Sequence, residues 1–258
     1  MSARAAALVR ISVIVPAWND RINLASLLPS LVRLEGLHEV VVVDAAGDSG
    51  TEELVRRANA TYLRAPAPNR GAQMNLGAGS ATGDALLFHH ADTILMQAHV
   101  AAITEALCDP KVIGGAFYRK FDGRHPRLLW LEIVARCMTR RGGTFFGDQS
   151  VFVRREVFAA LGGFAPIPLM EDMEFSRRLR RRGAVVVLDP PLESSDRRHL
   201  RRGAWRTSLQ NGLFILLYRC GCSPQRLHRW YYRERRAGQR PALHPASPNE
   251  PVEELSRG

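Results

Sequence analysis

Short apolar runs and helical spacings take turns along the first part of the chain. Ile11 to Val15 (ISVIV) is a β-branched run that stops at Pro16, which predicts a buried strand with a hard end. Apolar residues at 24, 27, 28, 31 and 34 predict a helix over 22–34. Val40 to Val43 is a second buried strand ending at Asp44, and Ser49 with Glu52 forms a capping-box pattern for a helix to about Ala60. Thr61 to Leu63 reads as a short strand, 70–80 as a helix of small residues, and Ala85 to Phe88 as another buried strand. Strand and helix alternate, so the expected fold is α/β, a mostly parallel sheet flanked by helices.

The second half is less regular. Val112 to Arg119 and Ser150 to Val153 read as strands, Leu128 to Thr139 and Glu156 to Leu161 as helices. A helix over Glu171–Arg182 stops at Gly183 and precedes a strand at Val185 to Leu188. Trp205 to Tyr218 and Pro224 to Arg236 look helical, giving a helical C-terminal portion. Residues 1–240 are expected to form a single domain, with a nucleotide-binding half at about 10–110 and an acceptor half at about 111–240. Pro, Ser, Asn and Glu dominate 241–258, which reads as a disordered tail.

Charge narrows the partners. The net charge is +11, and every basic side chain other than histidine is arginine except Lys111 and Lys120. Arginine forks match phosphate and carboxylate, so anionic substrates or an anionic surface are natural partners, although a genome rich in arginine codons gives the same composition. No signal-peptide core or membrane-length apolar run is present, and the four cysteines carry no zinc or disulfide pattern, which fits reduced thiols in a cytoplasmic protein.

In an open parallel sheet, ligands bind beyond the carboxyl ends of the strands. Three early strands end in polar loops: Pro16-Ala17-Trp18-Asn19, Asp44 with the residues after it, and His89-His90-Ala91-Asp92. Each residue has a structural reading by itself: Trp18 packs, Asp44 caps a turn, one histidine belongs to the core and Asp92 starts a helix. On one edge together they describe a nucleotide site: an aromatic for a base, a carboxylate for a ring N–H, a carboxylate for a cation against phosphates. No Walker sequence is present, and Gly77-Ala78-Gly79 follows a helix rather than a strand, which is the wrong context for a dinucleotide fingerprint.

The segments SVIVPAWND, VVVDAAGDSGT, NRGAQMNLGAGSATGDALLFHHADT, FFGDQSVFVRREVF and LMEDMEFSRRLRRRG follow one another in the order seen in family 2 glycosyltransferases of the GT-A fold, which the chain resembles over about 10–215. The resemblance implies a Rossmann-like GT-A sheet, a UDP-sugar donor and inverting transfer with bound Mg²⁺ or Mn²⁺. It implies nucleotide-sugar contacts from Pro16, Ala17, Trp18, Asn19, Asp44, Arg70, Gln73, Asn75, Ala91 and Asp92. HHADT resembles the acid–any–acid metal motif, with Asp92 at the second acid and His90 where the first commonly stands, so Asp92 and His90 are the expected metal ligands. Glu171 and Asp172 match the acceptor-side pair, with Asp172 as base and Glu171 orienting or replacing it; acids at a helix N-terminus are also simply stabilised by its dipole. Asp148 and Gln149, and Arg197, Arg198 and His199 of SSDRRHLRRGAWR, are expected near the acceptor or its phosphate. The arginines of 177–182 read as a solvated face.

The pattern is most similar to a compact subgroup associated with selenium- and arsenic-sugar biosynthesis, which includes the selenosugar synthases of selenoneine-type pathways. That resemblance implies transfer from UDP-N-acetylglucosamine or UDP-glucose to selenophosphate. The alternatives are a cytoplasmic transferase acting on a hydroxyl of a lipid or cell-surface glycan, for which the basic C-terminal helix suggests membrane association, and a non-catalytic nucleotide-binding regulator. A nucleic-acid partner is not expected.

Overall fold

The computed structural model describes residues 9–121, 144–194 and 204–237. The expected helix at Leu128 to Thr139 and the tail lie outside the described residues, as do Arg197, Arg198 and His199. The elements run β1 (Ile11–Ala17), α1 (Arg21–Leu31), β2 (Leu37–Asp44), α2 (Ser49–Arg57), β3 (Thr61–Arg64), α3 (Arg70–Ser80), β4 (Ala85–Phe88), α4 (Gln97–Cys108) and β5 (Val112–Phe121). A 3₁₀ turn (Gly147–Gln149), β6 (Val151–Arg154), α5 (Arg155–Ala160), α6 (Glu171–Arg182), β7 (Ala184–Ser194), α7 (Ala204–Arg219) and α8 (Pro224–Ala237) follow.

One seven-stranded sheet runs through both expected halves, in the order β3-β2-β1-β4-β6-β5-β7. β1 lies parallel to both β2 and β4, so the strand order reverses beside β1 and a crevice opens beyond its carboxyl end. The parallel reading holds for β1 to β4 but not throughout. β6 is antiparallel to β4 and to β5, while β5 and β7 run parallel.

The continuous apolar runs have a direct cause. Ile11, Val13 and Val15 point into one core with Leu24, Leu28, Val100 and Ile103 of α1 and α4. Ile14, Val41, Val43, Leu86 and Phe88 point into the other, against Met74, Ala78, Phe158 and Phe175. Both faces of the sheet are covered, so alternation disappears. The small residues of α3 allow close approach: a Cβ at Gly77 would meet Ile14 Cγ2 at 2.5 Å and Val43 Cγ2 at 3.0 Å.

Three local expectations change. β1 passes through Pro16, which pairs with Val43. β4 reaches only as far as Ile14 opposite Phe88, so no ladder partner there needs the missing proline N–H. Asp48, not Ser49, caps α2, accepting from Gly50 N at 3.3 Å and Thr51 N at 3.1 Å. The arginine run is not one solvated face. Arg178 ties Glu174 to the Leu161 and Gly163 carbonyls (2.6 and 2.7 Å), and Arg180 lies 4.2 Å over the Phe145 ring.

Candidate functional site

The carboxyl ends of β1, β2 and β4 meet at one rim. Gln73, one turn into α3, donates to the Ala17 and Val43 carbonyls, each at 2.8 Å, and so joins the first two strand ends to the helix. It is 4% exposed, so its amide holds the rim together from within. Asp44, 1% exposed, accepts from Ala46, Gly47 and Asp48 N–H groups at 3.0, 2.9 and 3.3 Å and from the Tyr62 hydroxyl at 3.2 Å. These bonds shape the loop after β2. Trp18, by contrast, is 47% exposed, and Asn19 beside it has φ 55°, which turns the chain away and leaves the indole at the surface.

The two adjacent histidines part company. His89 is fully buried. Its Nε2 donates to the Thr93 carbonyl at 3.0 Å, so Nδ1 accepts from Ser150 Oγ at 2.7 Å. Burial pushes its pKa down to about 4, so it is a neutral core residue. His90 turns to the rim, where its Nδ1 stands 4.0 Å from Asp92 Oδ1 and its Nε2 meets a guanidinium nitrogen of Arg70. Ala91 between them is 8% exposed.

Arg70 opens α3, whose first turn is capped by Asn69 Oδ1 at 2.9 Å from Ala72 N. Its Nε lies 3.8 Å from Glu171 Oε1, so it links the end of β4 to the start of α6. Glu171 is 5% exposed, and burial, with the charge of Asp172 next, raises its pKa above the usual carboxylate range against the pull of Arg70. Asp172 Oδ2 accepts from Gly147 N at 2.8 Å and Oδ1 from Met173 N at 2.7 Å. Met170, just before the pair, has φ 70° in the left-handed region, where non-glycine residues are uncommon and strain gathers near functional sites.

Two expected contact residues face inward instead. Gln149, 5% exposed, folds its Oε1 onto Phe146 N at 2.9 Å to close the 3₁₀ turn. Asn75 exchanges two bonds with the Phe164 main chain, at 2.9 and 2.8 Å, and fixes the loop between α5 and α6. The side chain of Asp148 lies outside the description. Tyr62, Ser150 and Tyr218 went unflagged in the sequence. Burial, then the charge of Glu174, raises the Tyr218 hydroxyl, with Asp172 adding to it, which puts α7 beside the acceptor-side acids. No spacing rule marks such partners, since each is joined to the site only by the fold.

The sequence matches the model of glycosyl transferase family 2 over residues 12–162, more than half of the chain. The chain belongs to this family. No protein of curated function matches it by sequence. Among solved structures it is similar to a Pyrobaculum calidifontis mannosyltransferase in complex with GDP-Man and Mn²⁺, with TM-score 0.63 and 23% identity, covering 84% of this chain and 66% of that one. It also resembles Staphylococcus aureus TarS 1-349 in complex with UDP-GlcNAc, with TM-score 0.60, 20% identity, and 72% and 58% coverage. Mycobacterium tuberculosis glucosyl-3-phosphoglycerate synthase, in complex with Mn²⁺, UDP and glucosyl-3-phosphoglycerate, gives TM-score 0.56, 22% identity, and 83% and 80% coverage. The chain thus spans less than two thirds of the first two structures. These likenesses carry the fold of a family 2 glycosyltransferase. No helix among the described residues is long and apolar enough to cross a membrane.

Mn²⁺ in two of those structures raises the question of whether this rim suits a resident ion. Among the described residues, no three His, Cys, Asp or Glu side chains gather as a metal cluster. The expected pair, His90 and Asp92, supplies less than it promises. Arginine has no acceptor, so His90 Nε2 must accept from Arg70 and its proton must sit on Nδ1, the nitrogen facing Asp92. Neither ring nitrogen keeps a lone pair for a metal. The one carboxylate left among the described residues does not by itself make a resident metal centre.

Proposed function

We propose that this family 2 glycosyltransferase moves a sugar with inversion from a UDP-sugar, UDP-N-acetylglucosamine or UDP-glucose, to a small anionic acceptor, selenophosphate. The observation that carries the reading is the convergence of exposed Trp18, Arg70 and the Glu171–Asp172 pair on one sheet rim. Trp18 stacks on the uracil, and Arg70 neutralises charge building on the β-phosphate as UDP departs. Selenium bonds to the anomeric carbon as the bond from that carbon to the β-phosphate oxygen breaks. UDP leaves with the electron pair, and water then cleaves P–Se to give a selenosugar and phosphate.

Two features support an acceptor that is already anionic. Both Asp172 oxygens already accept a main-chain N–H bond, so the carboxylate has fewer lone pairs to offer a hydroxyl proton. Glu171, its pKa raised, is turned to Arg70 rather than to open space. Structural kinship points the same way: a further structure of the mycobacterial synthase holds UDP, Mn²⁺ and phosphoglyceric acid, itself a small anion. Incubation with each UDP-sugar and selenophosphate, read by mass spectrometry, should yield UDP and a selenium-bearing sugar. UDP release with hydroxyl acceptors alone would overturn the selenium acceptor while leaving a sugar transferase.

A further inference from the structure

Arg70, His90 and Gly147 meet at the rim. We propose that a nucleoside diphosphate binds this chain through the Arg70 guanidinium, which His90 positions, without requiring a divalent cation. The inference rests on the UDP-donor reading and deepens it.

The side chain is placed from several directions. Gln73 locks the first turn of α3 to the ends of β1 and β2, which fixes where Arg70 leaves the helix. His90 Nε2 receives one guanidinium N–H, and Asp92 faces the opposite ring nitrogen at 4.0 Å. The imidazole is therefore an arginine holder backed by a carboxylate. Gly147 leaves the room: a Cβ there would press on the guanidinium and come within 2.8 Å of His90 Nε2. Arginine carries five N–H donors in a planar fork that matches phosphate oxygens. Its Nε is buried and makes no hydrogen bond among the described residues, since Glu171 Oε1 at 3.8 Å is beyond bonding reach. The side chain as a whole is 36% exposed, so its positive charge and outward terminal N–H groups stand at the mouth of the switch-point crevice. A divalent ion seated on Asp92 would have to share that neighbourhood with the guanidinium, and like charges repel.

Calorimetric titration of the full chain tests this, with UDP as probe and uridine as the phosphate-free control. The Kd for UDP in excess EDTA is expected within about threefold of its value in MnCl₂. Arg70→Ala should weaken UDP about tenfold or more in both media, the loss of a charge-assisted contact, and leave uridine unchanged. His90→Ala should weaken UDP by about threefold or more, again with uridine unchanged, a split that general damage to the fold would not produce. UDP binding that collapses by about thirtyfold or more in EDTA and returns with Mn²⁺ would overturn the proposal and keep the donor reading. UDP affinity that survives Arg70→Ala would overturn it too. Failure to bind UDP in either medium would remove the donor reading and this inference together.

Discussion

The proposed donor rim and the proposed acceptor rim are built on opposite principles. At the donor rim, Gln73, Asp44 and His89 are buried, and the Gln73 amide N–H groups, both Asp44 oxygens and both His89 ring nitrogens have main-chain or hydroxyl partners. At the acceptor rim, a buried carboxyl stands beside a second carboxyl, behind a left-handed Met170. The first arrangement gives a rigid platform whose buried polar groups serve the fold, while Trp18 and Arg70 keep exposed surface. The second keeps charge in an unfavourable setting, which substrate binding can relieve.

The largest effect that would break this contrast is on stability at the donor rim. Gln73→Leu removes both amide N–H donors; Ala17 O keeps its bond from Ala45 N while the Val43 carbonyl loses this donor, so chemical denaturation should show a loss of about 1–3 kcal/mol. A loss below about 0.5 kcal/mol would mean the rim is not held from within.

Next comes His89. Its folded pKa, about 4, lies below the ordinary 6.5, so unfolded chains bind the extra proton between those values. Stability is complete above pH 6.5 and falls as pH drops towards 4, by about 3 kcal/mol for this group at most. His89→Gln should lose that part of the slope in melts run across the window.

Trp18→Ala should leave stability within about 1 kcal/mol, because the indole is half exposed, yet weaken UDP by roughly tenfold through lost stacking. An equal loss of stability and binding would return Trp18 to a packing role. The smallest effect sharpens the acceptor side. The pKa of Glu171 is raised on folding, so its ionisation opposes the fold as pH climbs past 4.5, the sign opposite to His89. The stability of Glu171→Gln relative to the parent should therefore improve as pH rises from about 4.5, whatever the fixed cost of losing the Arg70 contact.

Sequence made the first half of the fold legible because both sheet faces are buried. ISVIV and ALLF have no periodicity to misread; Asn69 caps the start of 70–80, and Gly183 marks the end of 171–182 in the second half. β6 turning antiparallel between β4 and β5 was hidden, since a short apolar strand looks the same in either direction. At the site, His90, Asp92, Arg70 and the Glu171–Asp172 pair stand at the strand and helix ends where the sequence pattern puts them. What they do with one another was not legible. That His90 receives Arg70 depends on β4 ending opposite the start of α3, across 20 positions of chain. The inward commitments of Gln149 and Asn75 likewise arise from loops whose course no spacing rule states.

A crystal structure with UDP tests the central claim most directly. Uracil is expected against the Trp18 indole, with diphosphate oxygens within hydrogen-bond distance of Arg70. A nucleotide bound away from the ends of β1, β2 and β4, or a diphosphate turned from Arg70, would contradict it.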